Sequence, residues 1–480
     1  MKRLFFTILA ITVFIPLSAQ DTISSSLRHI HLDIPLTELP YQQSAIQTTG
    51  GFFPSYMNPG MSTSLALSQS LYTAAHWGLQ QIHYSDNVAK QRYYSRLAIY
   101  GFDLVSTWLP IGYAWLHEEY HRAAMTHRGV NSFNEVLLFK IGSNVISVSR
   151  ETDEDMARLS DLYRPDFIRT MAAGHEGQTL QNQRLQRDDF FYHRNLDNEV
   201  ILLNNALNNT AYLAICAWGL GDKTLRQMNT RETAVASRDF TGYDMMAWAH
   251  ALFNPETPYT ARGIHPSGVG IDRYITSDDL SAEAIRYLRR QTFVDLLNSL
   301  SPTLIGIARF PLGPIGAGQA YGNFAFRHYL TSFGDDNSLE LLFQLVTPDN
   351  VHPLNAYLTL HNYNNYHHHF GGLEMGIVDY PLFRQHLLLS STLQGWLQPY
   401  EQRRCETLEG GLADYSFFTS QAIVGGSVTL RVTANLYANG RANALCQPYL
   451  EMGYKSKGWQ AGNVHLLATP YLNAGLLWQL

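Results

Sequence analysis

Beyond about residue 300, apolar and polar residues alternate so regularly that the chain there is limited to extended strands. Between residues 427 and 438 every second position is apolar, and the segment 464–480 repeats the pattern. Turn clusters such as Gly334-Asp335-Asp336-Asn337 separate the runs. Similar runs begin near residues 324, 339, 354, 373, 387, 408 and 450. Because successive side chains of a strand point to opposite faces, this pattern predicts roughly eight to ten strands of about ten residues each.

Between about residues 60 and 300 the apolar residues recur with the period of a helix. The stretch 97–116 holds one charge, at Asp103, and is long enough to cross a membrane. Asp103 and the mid-segment Pro110 favour a pair of buried core helices there instead. Acidic residues at 151–155 are typical of the start of a further helix. The long helices are predicted over residues 65–83, 91–108, 111–125, 165–187, 199–218 and 281–300.

The N-terminus has the three parts of an export signal. Lys2 and Arg3 precede an apolar stretch over residues 4–17, and Ser18-Ala19-Gln20 offers small residues for cleavage. We therefore expect residues 1–20 to be a signal peptide. With 34 basic and 40 acidic side chains, a net charge of −6 and no long basic run, the chain is not expected to bind nucleic acid. In an oxidising compartment Cys405 and Cys446 are able to form a disulfide, which leaves Cys216 as an odd thiol.

The strand region resembles outer-membrane β-barrels. One face of its predicted strands is apolar, the other is rich in Asn, Thr, Gln and Tyr, and aromatic residues such as Trp396, Tyr400 and Trp478 lie at strand ends. A soluble β-sandwich is the alternative, since its strands also alternate. The resemblance implies an antiparallel barrel of about 8–12 strands over residues 301–480, in contact with the outer-membrane lipid of a Gram-negative bacterium.

One motif in the helical region holds the residues of a metal site. His117-Glu118-Glu119-Tyr120-His121 lies in a predicted helix, on which residues four apart share one face. Two imidazoles at this spacing are able to bind one metal ion. Glu118 is one position further round and is placed to take a proton from metal-bound water. The motif follows an apolar stretch, so we expect its helix to enter a core.

A helix with the sequence H-E-x-x-H resembles that of the zincin metallopeptidases. This resemblance covers one helix and implies a Zn²⁺ cofactor on His117 and His121, with Glu118 as general base in the hydrolysis of a peptide or protein substrate. A catalytic zinc takes a third protein ligand. Glu176, which follows the small residues 172–174, is similar to the later-helix glutamate of the gluzincins and is the expected third ligand.

Two histidines are alternative third ligands. His127 gives the spacing of the three histidines in the metzincins, although Ala124 stands where that family has a Gly. His175 is adjacent to Glu176 and points about 100° away from it on the same helix.

These features predict an α+β multidomain protein: a signal peptide (1–20), a mostly α-helical zincin-like domain (21–300) and a C-terminal antiparallel β-barrel (301–480). The predicted function is that of a zinc-dependent metallopeptidase of the bacterial envelope. One alternative is a non-enzymatic barrel protein, a porin, adhesin or assembly factor, with a helical plug. The other is an inner-membrane peptidase with spans at 97–116 and 200–220, which the four asparagines between 204 and 209 disfavour.

Overall fold

The computed structural model describes residues 30–42, 58–138, 147–192, 196–348, 354–383, 386–400, 418–435 and 446–479. The predicted signal peptide, the strand expected near residue 408 and Cys405, with its pairing to Cys446, lie outside these residues.

Helices make up most of the region between residues 61 and 295 that the structure describes. The nine described helices are α1 (Met61–Gln81), α2 (Val88–Val105), α3 (Tyr113–His127), α4 (Asp153–Leu162), α5 (Arg164–Tyr192), α6 (Glu199–Ala217), α7 (Asp222–Arg231), α8 (Asp244–Phe253) and α9 (Ala282–Asp295). The six helices predicted from periodicity are present as α1, α2, α3, α5, α6 and α9. The acidic cluster begins α4, and α7 and α8 were not predicted.

The apolar stretch 97–116 is divided between two helices, as expected, but only the second is buried along its length, since Leu97 and Val105 of α2 are exposed. α2 ends at Val105, and α3 begins at Tyr113 after a turn in which Ile111 has a φ of +58°. Every side chain from Ala114 to Thr126 is buried, so α3 does enter a core. One described helix, α6, is long and apolar enough to cross a membrane by length and composition, and 56% of its most apolar window is buried within the protein.

Helix α5 packs closely against α3 because its facing side is lined by small residues. A Cβ at Gly177 would lie 2.9 Å from the ring of Tyr120. Such close approach allows the backbone of α5 to reach the side chains of α3.

Ten strands form one antiparallel sheet. Its order follows the chain from β4 (Phe310–Ile315) to β12 (Thr469–Gln479), and β1 (His31–Leu39) is added beside β12. The described residues show no pairing between the edge strands β1 and β4, so the antiparallel strand order is confirmed but closure into a barrel is not. A separate small sheet pairs β2 (Phe133–Asn134) with β3 (Val148–Ser149). The ten strands are β1 (His31–Leu39), β4 (Phe310–Ile315), β5 (Gly318–Leu330), β6 (Asp335–Val346), β7 (Leu354–Asn365), β8 (His368–Leu382), β9 (Leu387–Pro399), β10 (Ala422–Ala434), β11 (Cys446–Lys455) and β12 (Thr469–Gln479).

The two faces of the large sheet differ in polarity. One face is apolar and exposed, including the paired residues Met375 and Leu393, and Leu430 and Met452. The other face is polar and buried under the helices, and includes Glu340, Thr359 and Gln394. In a soluble one-layer sheet the apolar face is the buried one, so this sheet has the opposite arrangement.

Three details of the strand prediction differ from the structure. β1 and β4 were not predicted, and β1 places residues from before position 300 in the same sheet as the C-terminal strands. The last strand begins at Thr469 rather than at Val464. Val464 and Leu466 belong to the connection between β11 and β12, where they are buried with Trp459 against α3.

Candidate metal centre

Helices α3 and α8 bring three metal-binding side chains together. His117 and His121 lie one turn apart on α3, with ring centroids 4.8 Å from each other. Oδ2 of Asp244, the first residue of α8, is 3.3 Å from Nε2 of His117 and 3.4 Å from Nε2 of His121. All three residues are buried, and one ligand atom of each lies within 4.8 Å of those of the other two.

Helix α5 orients both imidazole rings. Nδ1 of His121 donates a hydrogen bond to the backbone oxygen of Thr170 (2.5 Å), and Nδ1 of His117 donates to Oε1 of Gln178 (3.1 Å). With the proton on Nδ1, each Nε2 carries a lone pair directed at Asp244. Hydrogen bonding of the distal nitrogen to a carbonyl oxygen is how metal-binding histidines are commonly held.

These donor atoms fit a cation. Two imidazole lone pairs and a carboxylate oxygen face one another in a buried space, which is repulsive unless a positive charge lies between them. Nε2 of His121 is buried and has no hydrogen-bond partner. Two histidines and one carboxylate are also a known ligand set for catalytic zinc, which keeps one further position open.

Asp244 is positioned by its own backbone and by α6. Gly242, with φ of +79°, makes the turn before α8, and a Cβ at this position would lie 2.6 Å from Leu225. The hydroxyl of Tyr212 donates to Oδ2 of Asp244 (3.1 Å) and accepts from its backbone nitrogen (3.0 Å). Burial by itself would raise the pKa of Asp244, but positive charge beside the carboxylate, which protonated imidazoles of His121 and His117 supply when no metal is bound, holds the pKa below its usual value.

A cavity of about 330 Å³ opens beside His117 and Asp244, which both line it. Its wall includes Glu118, Asn208, Tyr212 and Asp239. Burial, helped by the charge of Asp244, raises the pKa of Glu118 to about 8, against the opposing effect of His117. Glu118 is thus a carboxyl group with raised proton affinity on the wall of the cavity that His117 and Asp244 also line.

Glu176, the expected third ligand, does not join the two histidines. Its Oε1 accepts hydrogen bonds from Nη2 of Arg169 (2.8 Å) and from the backbone nitrogen of Gly462 (2.7 Å). The reason is helical geometry: Glu176 is two residues from both Gly174 and Gln178, or about 200° around α5 from the side that contacts α3. Glu176 therefore binds the connection between β11 and β12, and Asp244 occupies the third position.

The two alternative ligands also lie elsewhere. The ring of His127 contacts that of His465, with centroids 4.3 Å apart, and Nε2 of His175 bonds Oδ1 of Asp295 at 2.7 Å. Asp244 was missed by sequence reasoning because it lies 127 residues after His117 in a helix that was not predicted. The signal available was its place at a helix start, after Gly242 and before an apolar run.

Comparison of the chain with protein-family models, with curated proteins and with solved structures gives no match.

Proposed function

We propose that this protein is a zinc-dependent metallopeptidase anchored in the outer membrane by its large sheet. The observation that carries the proposal is the convergence of His117 Nε2, His121 Nε2 and Asp244 Oδ2 in a buried space, with Glu118 on the wall of the adjacent cavity. Asp244 takes the place that the zincin resemblance gave to Glu176.

Different residues of the chain have different roles in the proposed hydrolysis. His117, His121 and Asp244 would hold the zinc, which supplies a Lewis acid for the scissile carbonyl and lowers the pKa of a water molecule. Glu118 would take a proton from the attacking water and pass it to the leaving amine, a role for which a raised pKa is suited. Thr170, Gln178 and Tyr212 fix the orientation of the ligands, so the site does not have to reorganise during the reaction.

The polarity of the sheet supports the membrane part of the proposal. Exposed apolar side chains continue across neighbouring strands, for example Phe324, Leu341, Leu360 and Leu373. Transmembrane β-strands have this arrangement, with apolar residues towards lipid and polar residues towards the interior. Together with the export signal predicted at residues 1–20, it favours the outer membrane of a Gram-negative bacterium.

A non-enzymatic barrel protein with a helical plug is the second candidate, and one observation favours it. The C-terminal half of α5 lies against the polar face of the sheet, where Arg187 pairs with Glu340 at 2.6 Å and with Glu374 at 3.4 Å. Tyr192 also donates to Asp379 (2.5 Å). A plug requires such contacts, but it does not require the three metal-binding side chains to converge.

Metal analysis of the full chain purified in detergent separates the two candidates. The wild type should carry about one zinc per chain, and a His117→Ala, His121→Ala double variant should carry none. A matched double variant, His367→Ala with His368→Ala, changes histidines at the turn between β7 and β8 and should keep the zinc. Equal metal content in all three proteins would contradict the metal centre, and iron in place of zinc would contradict the peptidase chemistry.

The Glu118→Gln variant tests the reaction itself. It should keep its zinc and lose hydrolysis of a quenched peptide library, because it removes the base and leaves the ligands in place. A zinc-containing wild type that cleaves no peptide would favour the second candidate.

A further inference from the structure

Asp239 is a buried carboxyl that faces the candidate active-site cavity and has no role in the metal centre. It is 6% exposed and lines the cavity together with Glu118 and Asp244. The hydrogen bond to its side chain is long, from the backbone nitrogen of Thr241 to Oδ1 at 3.5 Å. Its own backbone nitrogen is held by Oε2 of Glu232 (3.2 Å), which fixes this part of the chain at the cavity wall.

No cationic side chain pairs with Asp239 in the part of the chain that the structure describes. Its neighbour Arg238 is turned away and donates to the backbone oxygens of Glu232, Thr233 and Val269. Other buried acids of the helical region do have such partners, as Arg128 pairs with Asp166 at 2.7 Å. Among the described residues, no Lys or Arg lines this cavity.

The described lining of the cavity holds acidic side chains and neither Lys nor Arg. The carboxyl groups of Glu118, Asp239 and Asp244 all lie on its wall. A buried carboxylate without a counter-charge is costly. Burial, with added repulsion from Asp244 and Glu118, accordingly raises the pKa of Asp239 well above its usual value. A cationic group that entered the cavity would make the ionised form favourable.

We propose that Asp239 binds a cationic group of the substrate, so that the enzyme prefers peptides that place an ammonium or guanidinium group in this cavity. This inference rests on the proposed function for the position of the scissile bond, but the cation subsite itself depends only on Asp239 and the cavity. A lysine or arginine side chain and a free N-terminal ammonium share the required chemistry.

The first test measures cleavage by the zinc-loaded full chain in detergent. Quenched peptides that differ only in a central Lys, norleucine or Glu are compared, each with a free and an acetylated N-terminus. We expect kcat/KM for Lys to exceed that for norleucine about tenfold, as for a charge-assisted hydrogen bond in a buried site. A preference that follows the free N-terminus would identify the ammonium terminus as the bound group instead. The peptide with a central Glu should have the lowest kcat/KM of the three.

Two variants of Asp239 and one control variant show whether this residue causes the preference for the Lys peptide over the norleucine peptide. Asp239→Asn should bring the Lys-to-norleucine ratio close to one while its zinc content stays at the wild-type level. Asp239→Glu keeps the charge and should keep the ratio above one. Asp278→Asn, a change of an exposed acid on the surface, should leave the ratio unchanged. A ratio that is close to one in the wild type, or that Asp239→Asn does not alter, would overturn the inference.

A binding measurement separates failure of the inference from failure of the proposed function. Lysine hydroxamate and norleucine hydroxamate are titrated into the wild type and into Asp239→Asn. Tighter binding of the lysine compound by the wild type alone would support the cation subsite, even if no peptide is cleaved and the peptidase proposal fails. Equal affinities in the wild type would overturn the subsite, even if peptides are cleaved.

Discussion

Gly174 lies directly against the ring of His117: a Cβ at position 174 would be 2.3 Å from Nε2 of His117. This nitrogen is also the atom directed at Asp244. Because Gly174 has no side chain, the backbone of α5 packs directly against Nε2 of His117. Four residues later on α5, Gln178 accepts the hydrogen bond from Nδ1 of the same ring. The position of the imidazole is fixed from two sides.

Gly174→Ala is expected to displace this ring and lower zinc content. The added methyl group meets a buried side chain in a packed interior, where overpacking costs about 1–3 kcal/mol of stability. Metal analysis of the purified protein measures the zinc content, and its thermal midpoint measures the loss of stability. Gly101→Ala is the matched control, because Gly101 lies in α2 with no atom within 4 Å of the new Cβ. The control should raise stability by about 0.5–1 kcal/mol, as expected for Ala in place of Gly within a helix. Full zinc occupancy in Gly174→Ala would contradict the arrangement.

Asp244→Asn and Glu176→Gln distinguish the two candidate third ligands. Asp244→Asn removes the charge of the proposed ligand and should weaken zinc binding by a factor of at least about ten. Glu176→Gln should leave zinc affinity unchanged, because Glu176 pairs with Arg169 and the connection between β11 and β12. Competition with a chelator of known affinity gives both values. Loss of zinc in Glu176→Gln with retention in Asp244→Asn would restore the ligand set expected from the sequence.

Tyr212→Phe tests the support of Asp244 from outside the ligand set. Loss of the hydroxyl removes both hydrogen bonds to Asp244, and changes of this kind lower metal affinity by about 10–100-fold. The same chelator competition is the measurement. Tyr243→Phe alters a neighbouring cavity residue outside this pair of hydrogen bonds and should bind zinc like the wild type. Identical affinities for the two variants would show that Tyr212 does not position the ligand.

His250, in the last turn of α8, predicts how stability changes with pH. Burial, with the positive charges of Arg262 and Arg164, lowers the pKa of His250 to about 4 from its ordinary 6.5. Between pH 6.5 and about 4 the unfolded chain takes up a proton that the folded protein does not, so stability falls as the pH falls through this window. His250→Gln removes this contribution.

The thermal midpoint of the wild type should therefore fall more steeply from pH 7 to pH 4.5 than that of His250→Gln, while the difference between the two stays constant above pH 7. His83→Gln, which changes an exposed histidine, should follow the wild type. Parallel curves for the wild type and His250→Gln would contradict the expectation.

The features that could be predicted from the sequence are those that depend on residues close together along the chain. The spacing of His117 and His121 is a property of one helix, and the small residues around Gly174 indicate close packing whatever their partner. Asp244 becomes a neighbour of the histidines only through the fold, and α8 gave little signal because it is short and buried on almost all sides. In β1 the apolar residues Leu32, Ile34 and Leu36 do alternate, but Pro35 interrupts a strand of only nine residues. Whether a sheet closes depends on its edge strands, whose pairing no local pattern specifies.

The pairing of β1 with β12 places His31 opposite Gln479, which lies 448 residues later in the sequence. Every other neighbouring pair in the sheet consists of consecutive strands and is able to form as a hairpin soon after its residues are made. β1 cannot pair until β12 has been made, and this contact joins residues that are far apart in the sequence, the kind of step that slows folding. β1 also holds α1, since the backbone nitrogen of Asp33 donates to Oγ of Ser70 (2.9 Å). Helix α1, and through it the packing around α3 and its His117 and His121, would then gain this support only in the last stage of folding.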